Sequence, residues 1–164
     1  MIVMAELLTL VRPGLPPPAV RVPAGYTLRA CSPDDVEPLG DLYFASYDPG
    51  VASATREEAV ADIRAAFAGE YGELWPEASL VVETGAGGLV GAVQVVRRAP
   101  WPDTPNCPFV IELFTDRAHR RRGLGRTLIA AALDVTRSRM ALRVADGNGA
   151  ALNLYRGLGF EPVG

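Results

Sequence analysis

Hydrophobic and polar positions follow two different periods along this chain, and each change of period marks the boundary of a predicted element. Short runs rich in β-branched and aromatic residues predict strands, whereas apolar residues recurring every three or four positions predict amphipathic helices. From residue 26 onward the predicted order is β-α-α-β-β-β-α-β-α-β. The predicted strands cover residues 5–12, 26–30, 79–83, 89–96, 109–115 and 140–145, with a short last strand from residue 160.

The predicted helices carry end signals as well as helical periodicity. Ser32, followed by a proline and two acids, is typical of an N-cap and first turn, and the sequence Asp-Pro-Gly at 48–50 predicts the end of that helix. Thr55, followed by Arg-Glu-Glu, resembles a capping box. The third helix is predicted over residues 123–137, and the fourth begins after Asn148.

Prolines separate the first predicted strand from the rest of the chain. Four prolines within residues 13–18 predict a stiff, exposed linker. We therefore expect an N-terminal strand and linker over residues 1–25 and one domain over residues 26–164. The strand–helix–strand succession over residues 109–145 implies a parallel strand pair with a right-handed crossover.

Composition is typical of a globular domain. The 164 residues are 49% hydrophobic and 21% charged, and the net charge of −3 argues against a nucleic-acid partner. Two cysteines form neither a disulfide framework nor a metal motif. The chain start lacks a basic leader region, and no apolar run reaches the length of a membrane span. We expect a cytoplasmic protein without a metal or a membrane segment.

The residue content also excludes several reaction types. His119 is the only histidine, which excludes histidine-rich metal sites and Ser-His-Asp triads elsewhere in the chain. The chain contains no lysine, which excludes both a P-loop and Schiff-base chemistry.

The most informative stretch is FVIELFTDRAHRRRGLGR, residues 109–126, which predicts a buried strand, a polar loop and the start of a helix. Glycine in a helix costs roughly 1 kcal/mol relative to alanine, and cations at a helix N-terminus are unfavourable. A bound phosphate would explain both features, because free N–H groups of the first turn and the arginines would hold it. The alternative is a solvated basic turn. The residues concerned are Gly123, Gly125, Arg117, Arg120, Arg121, Arg122 and Arg126.

Two motifs resemble those of the GNAT N-acetyltransferase superfamily. The dinucleotide pattern G-x-G-x-x-G fails at Leu128, but Arg120-x-x-Gly123-x-Gly125 resembles the acetyl-CoA signature (Gln/Arg)-x-x-Gly-x-(Gly/Ala). The amino-acid sequence of residues 121–126 is similar to that of ribosomal-protein N-terminal acetyltransferases. A second resemblance lies in Asn148-x-x-Ala151-x-x-x-Tyr155-x-x-x-Gly159-Phe160.

The resemblance implies an α/β (α+β) fold: a GNAT-like mixed, mostly antiparallel sheet with helices on both faces and a splayed parallel strand pair at its centre. Two departures stand out. Arg117 occupies a loop position where members often have proline, and we expect little consequence. The chain also lacks the further strand that usually follows the Gly-Phe strand. Residues 5–12 or a second subunit could cover that sheet edge, so both a monomer and a homodimer stay open.

The implied activity is direct acetyl transfer from acetyl-CoA to a primary amine of a small molecule or peptide, without an acyl-enzyme. The resemblance assigns the pyrophosphate to backbone N–H groups of residues 121–126, and the pantetheine to the end of the central strand. Asn148 would contact the cofactor or simply cap its helix. The residues implied to bind acetyl-CoA are Leu113, Phe114, Thr115, Arg120, Arg121, Arg122, Gly123, Leu124, Gly125, Arg126 and Asn148.

Two residues are candidates for proton transfer. Tyr155 matches the family's tyrosine that protonates the leaving thiolate, although its apolar helix face also suits a core tyrosine. Glu112 is an acid in an otherwise apolar strand, which suits a general base or a structural partner of an arginine. Arg143 occupies the place of the catalytic glutamate of the ribosomal-protein enzymes, which argues against the same substrate.

The acceptor amine is not identified by these patterns. Its expected wall is residues 43–55 together with the loop 97–108, which carry Tyr43, Tyr47, Asp48, Trp101 and Asp103. The alternative to an enzyme is a non-catalytic CoA-binding regulatory module, in which Tyr155 and Glu112 would be dispensable.

Overall fold

One mixed sheet of seven strands forms the centre of the molecule. The computed structural model describes residues 7–48, 50–51 and 53–163, so Ala5, Glu6 and Pro49 of the predicted elements lie outside the described residues. The strands are β1 (Leu7–Arg12), β2 (Tyr26–Ala30), β3 (Leu80–Thr84), β4 (Leu89–Val96), β5 (Phe109–Thr115), β6 (Met140–Ala145) and β7 (Glu161–Pro162). The helices are α1 (Val36–Ser46), α2 (Arg56–Phe67), α3 (Leu124–Thr136) and α4 (Gly149–Gly157).

The strand order is β2-β3-β4-β5-β6-β1-β7. Every neighbouring pair is antiparallel except β5 and β6, which run parallel. Helices α1 and α2 cover one face of the sheet, and α3 and α4 cover the other. Alternate residues of β3 therefore pack in different clusters. Val81 contacts the α1–α2 side, whereas Leu80 and Val82 contact the α3–α4 side. The predicted mixed, mostly antiparallel architecture is confirmed.

The first strand completes the sheet. β1 pairs with β6 along its whole length, from Leu7 opposite Ala145 to Arg12 opposite Met140, and its other edge pairs with β7. The alternative in which the N-terminal segment fills this edge is therefore confirmed for Leu7–Arg12. Arg12 fixes the segment in place, because its buried guanidinium donates to the backbone carbonyls of Leu158, Leu15 and Pro16 at 2.7–3.0 Å.

The parallel pair splays as predicted. β5 and β6 are paired only at Phe109 with Ala141 and at Val110 with Leu142. On the opposite edge of β5, Gln94 faces Glu112 and Val95 faces Val110, so Ile111 is an extra, bulged residue. A bulge bends its strand and re-aims the neighbouring side chains. The bulge and the end of pairing coincide, and the sheet opens there.

The first helix begins differently from the prediction. A 3-10 turn over Pro33–Asp35 precedes α1, and the Asp35 carboxylate accepts a hydrogen bond from the Ser32 backbone N–H at 2.8 Å. Asp35 also forms a two-pronged ion pair with Arg29 at 2.8 Å, which lowers the pKa of Asp35. In the described part of the chain, no helix is both long and apolar enough to cross a bilayer.

Candidate active site

A cleft of about 650 Å³ opens between β5 and β6 beyond their last paired residues. The ends of α1 and β5 form one wall, and β6 and α4 form the other. Eight predicted site residues line this cleft. They are Glu112, Leu113, Phe114, Thr115, Arg120, Gly125, Asn148 and Tyr155.

The remaining predicted residues lie elsewhere around the start of α3. Leu124 is 2% exposed and belongs to the core, so only its backbone could serve a ligand. Arg122, Gly123 and Arg126 line a separate cavity of about 480 Å³, which the linker also lines with Arg21. Arg121 is exposed in the loop between β5 and α3.

The first turn of α3 carries free donors. The backbone N–H groups of Leu124, Gly125 and Arg126 have no carbonyl one turn earlier within the helix. Among the described residues they also make no hydrogen bond to the preceding loop, whereas the next N–H, that of Thr127, donates to the Gly123 carbonyl at 3.0 Å. This helix start can therefore bind an anion.

Glycine occupies two positions of this turn for different structural reasons. Gly123 is the N-cap of α3 and adopts φ of 78°, a left-handed conformation that favours glycine, and a Cβ there would meet no atom within 4 Å. Its backbone alone thus explains Gly123, without the ligand that the sequence pattern suggested. Gly125 has no such backbone requirement, and it lines the cleft, where a Cβ would lie 3.4 Å from the Leu154 side chain.

Part of the arginine cluster is engaged within the protein. Arg120 donates to the Ser46 carbonyl at the end of α1, and Arg117 pairs with Asp48 in the following loop. Arg117, at the position where proline is common, thus connects its loop to the segment that follows α1.

The same loop is also tied to β2. The Tyr26 hydroxyl accepts a hydrogen bond from Arg122 at 2.9 Å and lies 2.7 Å from Nδ1 of His119. His119 is therefore a structural partner of Tyr26.

Tyr155 projects from α4 into the cleft. The residue is only 8% exposed, and its ring packs against Phe160 in an edge-to-face arrangement with centroids 5.8 Å apart. Burial, followed by the charge of Glu112, raises the pKa of Tyr155 to about 12. The hydroxyl therefore stays protonated at neutral pH and can donate a proton or a hydrogen bond.

Glu112 lies on β5 directly after the bulge at Ile111 and is half-buried. Burial, followed by the charge of Asp62, raises the pKa of Glu112 to about 8, and a hydrogen bond from Tyr43 opposes this rise. In the part of the chain that the structure describes, Glu112 forms no ion pair with an arginine. Its carboxyl group is held near the pKa that suits a base working at neutral pH.

A second cavity of about 240 Å³ lies between α2 and the face of β4 and β5 that this helix covers. Ile111 and Glu112 line both this cavity and the cleft, so the two spaces meet at the bulge. Sequence reasoning missed three of its polar lining residues: Asp62, Tyr71 and Gln94. Gln94 gave a usable signal, because it is the one polar residue within the apolar strand β4.

The predicted acceptor wall is divided between the two spaces. Trp101 lines the second cavity, while Tyr47 and Asp48 line the cleft. Tyr43 is buried and packs against Tyr47 and Phe114 with ring centroids 5.5 and 5.3 Å apart. Asp103 lines neither space.

Arg143 also lines the cleft, and its Nε donates to the Thr9 hydroxyl of β1 at 3.3 Å. Among the described residues, no group of three or more His, Cys, Asp or Glu side chains is placed to hold a metal ion.

Comparison with known proteins places these features in a family. The family model described as "Acetyltransferase (GNAT) family" matches residues 40–160. The chain is 40% identical over 82 residues to N-alpha-acetyltransferase RimI of Mycobacterium tuberculosis. The aligned residues are 48% of this chain and 49% of that protein. The match thus spans about half the length of this relative.

Solved structures share the fold at low identity. A GCN5-related N-acetyltransferase from Sphaerobacter thermophilus superposes with a TM-score of 0.70 at 19% identity, over 96% of this chain and 48% of that chain. AAC(6')-Iy in complex with the bisubstrate analog CoA-S-monomethyl-acetylneamine superposes with a TM-score of 0.63 at 20% identity, over 83% of this chain and 90% of that chain.

Proposed function

This chain belongs to the acetyltransferase (GNAT) family, and from that premise we propose that it transfers the acetyl group of acetyl-CoA directly to a primary amine. One observation carries the proposal. The cleft between β5 and β6 brings together Gly125 of a helix start with free N–H groups, an unpaired strand edge, a protonated tyrosine and a carboxyl group with a raised pKa.

The cleft suits acetyl-CoA along its length. The free N–H groups at residues 124–126 would hold the pyrophosphate, with Arg121 and Arg126 neutralising its charge. The edge of β5 at Leu113–Thr115 has lost its β6 partner, so its backbone groups are available to the amides of the pantetheine arm. Arg120 is bonded to Ser46 and would shape the loop rather than bind directly.

Four changes make up the proposed reaction. Glu112 takes a proton from the substrate ammonium, and the neutral nitrogen attacks the thioester carbonyl carbon. The new C–N bond forms as the C–S bond breaks, and Tyr155 gives its hydroxyl proton to the leaving thiolate. Tyr155 regains a proton as the nitrogen loses its second one. The sum is an amide, free CoA thiol and one proton released through Glu112.

Both proton-transfer groups have environments matched to these tasks. A carboxyl group with a pKa of about 8 holds a transferred proton better than an ordinary glutamate does. A tyrosine with a pKa of about 12 remains an acid throughout the neutral range. The CoA-binding module remains the second candidate, and it requires neither arrangement.

Thermal stability and thiol release test the proposal together. We expect saturating acetyl-CoA to raise the melting temperature, and dephospho-CoA to raise it less, because arginines around the α3 start can also hold the 3′-phosphate. Free thiol should then appear when a panel of primary amines is added. No thermal shift with millimolar acetyl-CoA would refute the proposal. Binding without amine-dependent thiol release would favour the regulatory module.

A further inference from the structure

The second cavity is lined by two acidic side chains. Asp62 projects from the α2 wall and Glu112 from the sheet wall, and both line the same space. None of its lining residues is an arginine. The Tyr71 hydroxyl donates a hydrogen bond to Asp62, which fixes this carboxylate without neutralising it. Two acids that share one small space favour a ligand that brings positive charge.

Gln94 provides an independent indication of a ligand. It is only 1% exposed, lies opposite Glu112 on β4, and lines the same cavity. Neither its side-chain oxygen nor its nitrogen has a hydrogen-bond partner among the described residues. A buried amide without partners costs free energy, so a ligand that supplies an N–H donor to the oxygen would stabilise the site.

The rest of the lining is apolar. Ile63 and Ala66 of α2 and Ile111 of the bulge supply aliphatic surface, and the indole of Trp101 lies beside them. The cavity therefore offers carboxylates on opposite walls with hydrocarbon surface around them. Its volume of about 240 Å³ lies below the roughly 300–1,000 Å³ typical of pockets for drug-sized ligands.

We propose that the acceptor is a small alkyl diamine, with its reacting amine at Glu112 and its second ammonium held by Asp62 and the Gln94 amide oxygen. This inference rests on the proposed function, because it places the acceptor next to the thioester in the cleft. The shared lining by Ile111 and Glu112 positions the reacting amine where the two spaces meet. A monoamine would satisfy Glu112 and leave Asp62 without a cation.

Acceptor kinetics with matched amines test this inference. With acetyl-CoA saturating and free thiol as the readout, we expect kcat/KM for 1,4-diaminobutane to exceed that for 1-aminobutane by about 10²-fold, because only the diamine fills the Asp62 site. Asp62→Asn retains an acceptor for the Tyr71 hydroxyl but removes the charge. It should bring the ratio of the diamine's kcat/KM to the monoamine's close to one, and any change in the pKa of Glu112 acts on both amines alike.

Glu57→Gln is the matched control, because Glu57 lies on the same helix and is exposed away from the cavity. This variant should leave both kcat/KM values unchanged. Equal values for the two amines, or no effect of Asp62→Asn on the diamine, would overturn the inference. The proposed function would still stand if a peptide N-terminus or another amine were acetylated.

Binding keeps the inference testable apart from turnover. With free CoA present, 1,4-diaminobutane should raise the melting temperature of the wild-type protein more than 1-aminobutane does, and Asp62→Asn should remove the difference. If no amine is acetylated, the proposed function fails, and the diamine site is then judged on this shift alone. Identical shifts with the two amines would overturn it.

Discussion

The cleft and the second cavity meet at Glu112 but are built from different parts of the chain. The groups that we assign to acetyl-CoA in the cleft are mainly backbone groups: free N–H groups at the start of α3 and the unpaired edge of β5. The second cavity presents side chains, which come from α2, β4, β5 and the segments that follow α2 and β4. In our proposal the first space holds the anionic part of acetyl-CoA, and the other carries two acidic side chains.

This difference explains why only one of the two spaces has a sequence signature. A backbone site needs residues that permit a certain chain conformation, and glycines at fixed spacing record that need. A side-chain site needs particular groups at one point in space, and these groups can be far apart in sequence. Asp62 and Glu112 are separated by fifty positions in the chain. The predictions below separate the two kinds of site, beginning with the largest expected effect.

Gly123→Val should abolish binding to the cleft. Its φ of 78° is strained for a β-branched residue, and a distorted N-cap would misplace the free N–H groups of α3. We expect acetyl-CoA affinity to fall by about 10²-fold or more in a calorimetric titration. Gly87→Val is the control, because Gly87 has φ of 89°, equally open surroundings and a place in the β3–β4 turn, which lines neither the cleft nor the cavity beside Gly123. If both variants bind acetyl-CoA equally well, the backbone site is misassigned.

The fold was largely predictable because its determinants are local. The strand–loop–helix pattern of residues 109–126 and the second motif, around Tyr155, indicated the element order. The structure confirms this order. The splayed pair was predicted as well, but its cause was not. The bulge at Ile111 arises from the register of β5 against β4, which no local pattern of apolar residues expresses.

The backbone part of the candidate site could be inferred from the sequence, and its side-chain part only in part. Glu112 was identified because an acid within an apolar strand is unusual, and Gln94 carries the same signal one strand away. Asp62 could not be identified, because an acid on a half-exposed helix position resembles any solvated residue. Only the packing of α2 over the bulge places it opposite Glu112.

Tyr155→Phe tests the acid in the cleft. The variant loses one hydroxyl and keeps the edge-to-face packing on Phe160. We expect kcat to fall by roughly 10²-fold, the usual contribution of a general acid, while acetyl-CoA affinity barely changes. The deficit should stay constant between pH 7 and 9, because the amine's protonation does not affect the leaving thiolate. Wild-type turnover would show that Tyr155 is a core residue.

Glu112→Gln tests the base and should behave differently with pH. At pH 7 we expect kcat/KM to fall by about 10- to 10²-fold, because the substrate ammonium has lost its proton acceptor. Above about pH 8, where Glu112 is ionised, the deficit should shrink as more of the free amine is already neutral. In the wild-type protein, kcat/KM should rise through a pKa near 8 as Glu112 ionises. A deficit independent of pH would exclude Glu112 as the base.

The same substitution should have a smaller and opposite effect on stability. Glu112 lies near Asp62, Tyr43, Tyr47 and Tyr155 in the folded protein. Burial, followed by the charge of Asp62, raises its pKa from 4.5 to about 8 on folding. Between these values the unfolded chain has released a proton that the folded protein still binds, so stability falls as pH rises through this window. Glutamine has no proton to release, so Glu112→Gln should escape this loss.

Melting temperatures measured from pH 4 to pH 9 would show the effect. We expect the variant and the wild-type protein to melt alike near pH 4, where the wild-type carboxyl is neutral in both states. As pH rises, the melting temperature of the variant should increasingly exceed that of the wild type, by about 3 °C or more near pH 9. Glu57→Gln, at an exposed site on α2, should show no such trend. A constant difference across the range would mean that Glu112 titrates as an ordinary glutamate, and that the meeting point of the two spaces is solvated rather than tuned for proton transfer.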